Sequence, residues 1–262
     1  MSRKSGQVMT ANYFSRALEF LKRKRYESAI EYFDLVLGLN PKEADAWFNK
    51  GLACIGLGQY ENALECFDRS IDASPELDGI RLRKALLLHD LGRNDEALRC
   101  IDEIAKINPG SAGAFFLKGI IFDERSAPRQ ALACYDQVVE LVPRFKGIWV
   151  RRGWALDLLG EPEEALRCFD QALEQNPGDS RALFSKGMSL SRLDRHQEAV
   201  EQFDRVLELN PKEEKAWYNK GLSFAALRAY ERAIECFSKT IELNPDNQDA
   251  VEKKREAEEQ LG

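Results

Sequence analysis

Histidine is nearly absent from this chain: His89 and His196 are the only two, and neither sits in a motif. General acid–base chemistry and zinc ligation both draw on clustered imidazoles, so this scarcity counts against a hydrolytic metal site. The six cysteines include no C-x-x-C pair. They read as small apolar residues in helices of a reduced protein, not as ligands or disulfides. No nucleophile–base pair, paired acid carboxylates or phosphate-cradling glycine loop stands at the spacing its chemistry needs. The expectation is a non-enzyme with no catalytic residue, no metal and no cofactor.

Long apolar runs are missing too, since nothing approaches the roughly 18 residues that span a bilayer. The opening MSRKSGQVMT lacks the apolar core of a secretory signal, so the expected compartment is the cytoplasm, without membrane association. Nor is there an excess of basic charge. With 38 basic and 44 acidic side chains the formal charge is −6, which counts against nucleic-acid binding. A hydrophobic share of 44% with 31% charged residues belongs to a folded, soluble chain.

Prolines are few, but seven of them, at 41, 75, 109, 143, 177, 211 and 245, stand 34 apart without insertion or deletion. Periods of this length are the mark of stacked repeats. Five of the seven follow an asparagine: Asn40, Asn108, Asn176, Asn210 and Asn244. The residue before proline is pushed out of the helical region, so each pair marks a helix end. Asn-Pro is also suited to open the next helix as N-cap and first-turn residue, which predicts a very short join.

With Pro41 closing the first copy, frames run 10–43, 44–77, 78–111, 112–145, 146–179, 180–213 and 214–247. The fourth place holds Tyr13, Trp47, Arg81, Phe115, Trp149, Leu183 and Trp217, and the eighth is always glycine or alanine. Alanine fills the twentieth place from Ala29 to Ala233, and Phe33, Phe67, Ile101, Tyr135, Phe169, Phe203 and Phe237 fill the twenty-fourth. Such spacings put a large, a small and a large residue on one helical face, so that a paired helix approaches closely. Gly58, Gly92 and Gly160 stand where the first helix must stop, and Pro128 and Pro162 where the second begins. Five cysteines share one slot of the frame, with Cys54 apart. The first copy, without such a glycine, and the third, with Arg81, are the weakest.

This pattern resembles the tetratricopeptide repeat family over residues 10–247, in seven copies. The Asn-Lys-Gly cores at 49–51 and 219–221 resemble prokaryotic, notably archaeal, members. The resemblance implies an all-α fold: a right-handed superhelical solenoid of helix-turn-helix repeats. Residues 248–262 are expected to form a polar C-terminal capping helix and residues 1–9 a frayed tail.

The seventh place is basic in every copy, and the twenty-fifth is aspartate in all but the last, which has Ser238. A phosphate-binding ladder is one reading. Ion pairs between neighbouring copies are the favoured one, because the seventh place lies about 60° from the packed seam, at 100° per residue. The last copy, lacking a full successor, can then lose its acid. Asp102 is predicted to contact Lys118 across a repeat junction.

In the family, peptides lie along a concave wall of first helices. The fifth and ninth places of that wall are apolar throughout, unlike the lysine and asparagine of members that grip a terminal carboxylate. Gly79, Gly113 and Gly147 occupy the second place of three successive copies, which is expected to clear side chains from the middle of the wall. The candidate groove there comprises Arg83, Phe116, Leu117, Ile120, Asp123, Val150, Arg151, Trp154, Asp157, Phe184 and Met188. Trp154 among arginines has the composition of a binding hot spot, although an indole at that place also fits the inside of the curl. The resulting expectation is a scaffold that takes a peptide or amphipathic segment of another protein, as a monomer or weak homo-oligomer. The alternative is a structural module stacking through its terminal repeats.

Overall fold

A computed structural model describes residues 3–262, with side chains from residue 7 onward. The described residues form fifteen α-helices and no strand. They are α1 (Arg3–Lys22), α2 (Tyr26–Leu39), α3 (Ala44–Gly56), α4 (Tyr60–Ala73), α5 (Asp78–Asp90), α6 (Asn94–Ile107), α7 (Ala112–Glu124) and α8 (Pro128–Leu141). There follow α9 (Ile148–Leu158), α10 (Pro162–Gln175), α11 (Ser180–Arg192), α12 (His196–Leu209), α13 (Glu214–Ala226), α14 (Tyr230–Leu243) and α15 (Gln248–Glu259). The chain divides into two compact units, Met1–Ile121 and Phe122–Gly262. Within the first, α1 pairs with α2, α3 with α4 and α5 with α6. Within the second, α9 pairs with α10, α11 with α12 and α13 with α14, and each hairpin packs on the next. No described helix is long and apolar enough to cross a membrane.

One contact recurs inside the hairpins. A methyl group added at Gly51, Gly153, Gly187 or Gly221 would stand 2.8, 2.5, 2.7 or 2.7 Å from the ring of Phe67, Phe169, Phe203 or Phe237. Each of those rings is fully buried. The eighth place is therefore small because the twenty-fourth-place ring of the same repeat lies directly against its backbone.

Every first helix ends in the same way. The fifteenth place takes a positive φ in all seven copies: glycine at 58, 92 and 160, and Lys24, Ser126, Asp194 and Arg228 at 54 to 58°. The N–H of the following residue then returns to a carbonyl five back, as in Gln59 to Cys54 at 2.9 Å and Ala229 to Phe224 at 2.9 Å. The first copy adopts this turn without its glycine, because the turn is imposed by hairpin packing.

The joins after the second helices differ from expectation. Asn40, Asn108, Asn176, Asn210 and Asn244 are C-caps in extended conformation, not N-caps. Their side-chain oxygens accept from the N–H two residues on, for example Gly110 at 3.1 Å, which turns the chain before the next helix starts. Trp47, Trp149 and Trp217 donate their indole N–H to the carbonyls of Pro41, Pro143 and Pro211 at 2.9, 2.9 and 3.0 Å. Arg81, the apparent flaw of the third copy, is buried and donates its guanidinium to the carbonyl of Pro75 at 2.6 Å. It supplies the same hydrogen bond as the indole.

At the ends, α1 begins at Arg3, so the expected tail is helical from residue 3; residues 1 and 2 lie outside the described residues. Helix α15 buries Ala250 and Ala257 against the preceding hairpin, while Lys253 and Lys254 pair along its surface with Glu256 and Glu258 at 2.8 and 3.7 Å.

Two stability changes are expected in urea titrations. Gly153→Ala adds a methyl against the Phe169 ring; overpacking of about 1–3 kcal/mol outweighs the ~1 kcal/mol gained in helix propensity, so the midpoint falls. An unchanged midpoint would mean the ring has room to move. Arg228→Gly relieves a left-handed backbone and raises stability by about 1 kcal/mol; a fall would show that the turn needs the arginine side chain.

Candidate partner-binding face

The junction ladder is complete. Lys50, Lys118, Arg152, Lys186 and Lys220 meet Asp34, Asp102, Asp136, Asp170 and Asp204 of the preceding copy at 2.6, 2.8, 2.7, 2.6 and 2.6 Å, and Lys84 meets Asp68 in the same way. The predicted pair of Lys118 with Asp102 is among them. With their charges satisfied, these cations are committed to repeat junctions and not to a phosphate ladder. The aspartates are about half exposed, so each pair contributes only about 0–1 kcal/mol.

The candidate face divides between the two units. In the first unit Arg83 is exposed and lines, with Ile55, Tyr60 and Leu86, a cavity of about 260 Å³. Phe116 and Ile120 are half-buried. Leu117, expected on the groove, is 2% exposed and belongs to the core, because the sixth place of α7 turns inward. Gly79 is open, but Gly113 is not a cleared space: a methyl there would stand 2.9 Å from Leu82.

In the second unit Val150 is likewise 2% exposed and is a core residue. Gly147 has a φ of +79° and sets the late start of α9, so its role is conformational. Trp154 is half-buried and firmly held. Its indole N–H donates to Ser185 Oγ at 2.7 Å, and the Arg151 guanidinium lies 5.5 Å from its ring centroid. Phe184 lies 5.7 Å from Phe203, leaving part of its ring and of Met188 accessible. Leu158, which the sequence did not single out, is 70% exposed one residue beyond Asp157.

The two aspartates are anchored. Asp123 accepts from the Tyr135 hydroxyl at 2.5 Å and faces Arg151 at 3.4 Å. Asp157 accepts from Ser189 Oγ at 2.7 Å and pairs with Arg192 at 3.1 Å. Burial pushes both carboxyls above the ordinary aspartate value, against the pull of these donors. Ser185 and Ser189 are the supports that sequence reading missed. Their only signal in the sequence was a pair of serines four residues apart in one first helix.

A larger cavity, of about 730 Å³, opens beside Trp217 and Phe224. Two of its cations are paired within it, Lys220 with Asp204 at 2.6 Å and Lys239 with Glu242 at 2.5 Å, and Arg232 lies 5.6 Å from the Phe224 ring. All six cysteines are buried and free of disulfides.

Models of the tetratricopeptide repeat match residues 17–88, 79–111, 122–180, 158–214 and 214–247. Among solved structures, YrrB, described as a tetratricopeptide repeat protein with an unusual peptide-binding site, is 26% identical. Its TM-score is 0.68, over 73% of this chain and 99% of its own. The C-terminal part of a repeat-containing protein of this type from Cytophaga hutchinsonii has a TM-score of 0.76 at 14% identity, over 92% of this chain and 98% of its own. An uncharacterized protein of Methanocaldococcus jannaschii is 44% identical over 41 residues, 16% of this chain. The match spans about half, 48%, of the length of that curated relative.

The raised carboxyl of Asp157 predicts a pH dependence. A carboxylate with a raised folded-state value stabilises fully below its unfolded value of about 4, and that contribution is lost as pH rises through the folded value. Asp157→Asn keeps the shape and an acceptor oxygen. Wild type should therefore lose stability relative to this variant as pH rises from about 4 to about 7, read by urea midpoints. Parallel curves would show that Ser189 and Arg192 cancel the burial.

Proposed function

Because this chain belongs to the tetratricopeptide repeat family, we propose that it is a non-enzymatic scaffold whose first-helix face takes a peptide or amphipathic segment of another protein. The observation that carries this reading is the setting of Trp154. A half-exposed indole fixed by Ser185 and stacked by Arg151, beside the exposed Leu158, is a preorganised apolar anchor. Rigid aromatic residues flanked by arginine are the groups that dominate binding energy at protein interfaces. The peptide-binding site named for YrrB, at 26% identity, supports the same class of work. Free buried thiols support a reducing compartment such as the cytoplasm. The charged surface of α15 counts against end-to-end stacking as the main role.

Crosslinking with mass spectrometry of what the intact protein captures from its own cell extract tests this. Trp154→Ala, at equal helicity, should lower capture by about tenfold or more. Capture that is unchanged by the substitution, or the recovery only of further copies of this chain, overturns the reading.

A further inference from the structure

Within a repeat, the seventh, eleventh and twenty-third places converge between the two helices. In the fifth copy Arg152 donates to Cys168 Sγ at 2.9 Å. In the seventh, Lys220, Phe224 and Cys236 line one cavity, with Lys220 Nζ 5.7 Å from the Phe224 ring centroid. The eleventh place holds Phe20, Leu88, Phe122, Leu156, Leu190 and Phe224 in six copies. Only the second copy has a cysteine there, so Cys54 of α3 and Cys66 of α4 occupy two converging places of one hairpin. None of the other four cysteines shares its copy with a second one.

Cys54 and Cys66 are buried in one cluster of the first unit, and their thiols hydrogen-bond to each other. Lys50, the seventh-place cation, lies beside both sulfurs while it pairs with Asp34 at 2.6 Å. We propose that Cys54 and Cys66 are a redox pair, closed to a disulfide inside the second hairpin by a hydroperoxide. The hydrogen bond from Cys66 and the Lys50 charge hold the Cys54 thiol below its ordinary value, against the effect of burial. Cys66 is pushed the other way by the same bond and by burial. Cys54 is therefore the attacking thiolate and Cys66 the resolving thiol. Because both sulfurs are buried, the oxidant has to be of about the size of water, as hydrogen peroxide is. The Cys54 thiolate attacks one peroxide oxygen, the O–O bond breaks, and the departing hydroxide takes up the proton that Cys54 lost, giving water. The Cys66 sulfur then attacks the Cys54 sulfenic acid. An S–S bond forms, the S–O bond breaks, and the hydroxyl leaves with the Cys66 proton as a second water. Two thiols lose two electrons, and one hydrogen peroxide is reduced to two waters. This site is independent of the peptide-binding reading.

Treating the folded full chain with hydrogen peroxide, alkylating free thiols in denaturant and mapping tryptic peptides tests it. Cleavage after Lys50 and Arg69 releases residues 51–69, a single peptide that carries both cysteines. That peptide should be lighter by two hydrogens and free of alkyl groups, while Cys100, Cys134, Cys168 and Cys236 are alkylated. Two of the six thiols are then lost, and dithiothreitol before alkylation restores them. In Cys66→Ser the reaction should stop at the Cys54 sulfenic acid, trapped as one dimedone adduct. In Cys54→Leu, which installs the residue of the third, fifth and sixth copies, no thiol should be lost at unchanged helicity. Alkylation of Cys54 and Cys66 like the other four overturns the inference. So does a bridge from either to another cysteine, or oxidation of either to sulfinic or sulfonic acid without a bridge.

Discussion

The distance between the two helices of a hairpin is set by a large side chain, in most copies an aromatic ring, pressed on a residue with little or no side chain. Phe67 on Gly51, Phe169 on Gly153, Phe203 on Gly187 and Phe237 on Gly221 are four instances of one contact. Ala17 with Phe33 and Ala85 with Ile101 occupy the same places, fully buried or nearly so. Because side chains in a close-packed interior have no slack, this spacing then fixes where the turn must reverse. The left-handed fifteenth residue follows, in lysine, serine, aspartate and arginine as well as in glycine. Local preference yields to hairpin geometry there, at a cost of about 1–2 kcal/mol per non-glycine residue.

Between hairpins the constraint is polar. In four copies, at Trp47, Arg81, Trp149 and Trp217, a fourth-place N–H closes on the carbonyl of the preceding proline, and a seventh-place cation closes on the preceding aspartate. Neither is strong, since both are partly exposed to water. They act by direction, since each joins a residue to the copy before it at a fixed spacing of 6 or 16 residues. Arg81 shows that a guanidinium can stand in for the indole, as it makes the same bond to Pro75, while Phe115 and Leu183 fill the place without a donor. The absence of an acid at Ser238 fits the same logic, because the helix that follows pairs its Lys254 with its own Glu258.

Much of this was legible before any coordinates. The 34-residue spacing of the prolines, the small eighth place and the Lys–Asp pairing all read directly from repetition, and Lys118 meets Asp102 as that frame requires. What misled was any residue judged by its place on an idealised wall. Leu117 and Val150 turn into the core, and of the three second-place glycines Gly113 packs on Leu82 while Gly147 shapes the start of α9. The Asn-Pro pairs end helices as their spacing predicted, but they do not also open the next ones, because the asparagine side chain satisfies the turn that follows.

The sequence alone determined the class of fold, the helix pairing and the junction ladder, because those depend on residues that recur at one period and on contacts inside one repeat or with its neighbour. Only the tertiary structure decided the character of the Trp154 region. Its indole is fixed by a serine 31 residues away, and Asp157 by another 32 residues away. Those partners stand at places where most copies carry other residues, although Ser223 repeats the place of Ser189 and meets Ser191 in the same way, so the full 34-residue pattern does not announce them. The repeats build the frame by what they share, and the face it presents is set where they differ.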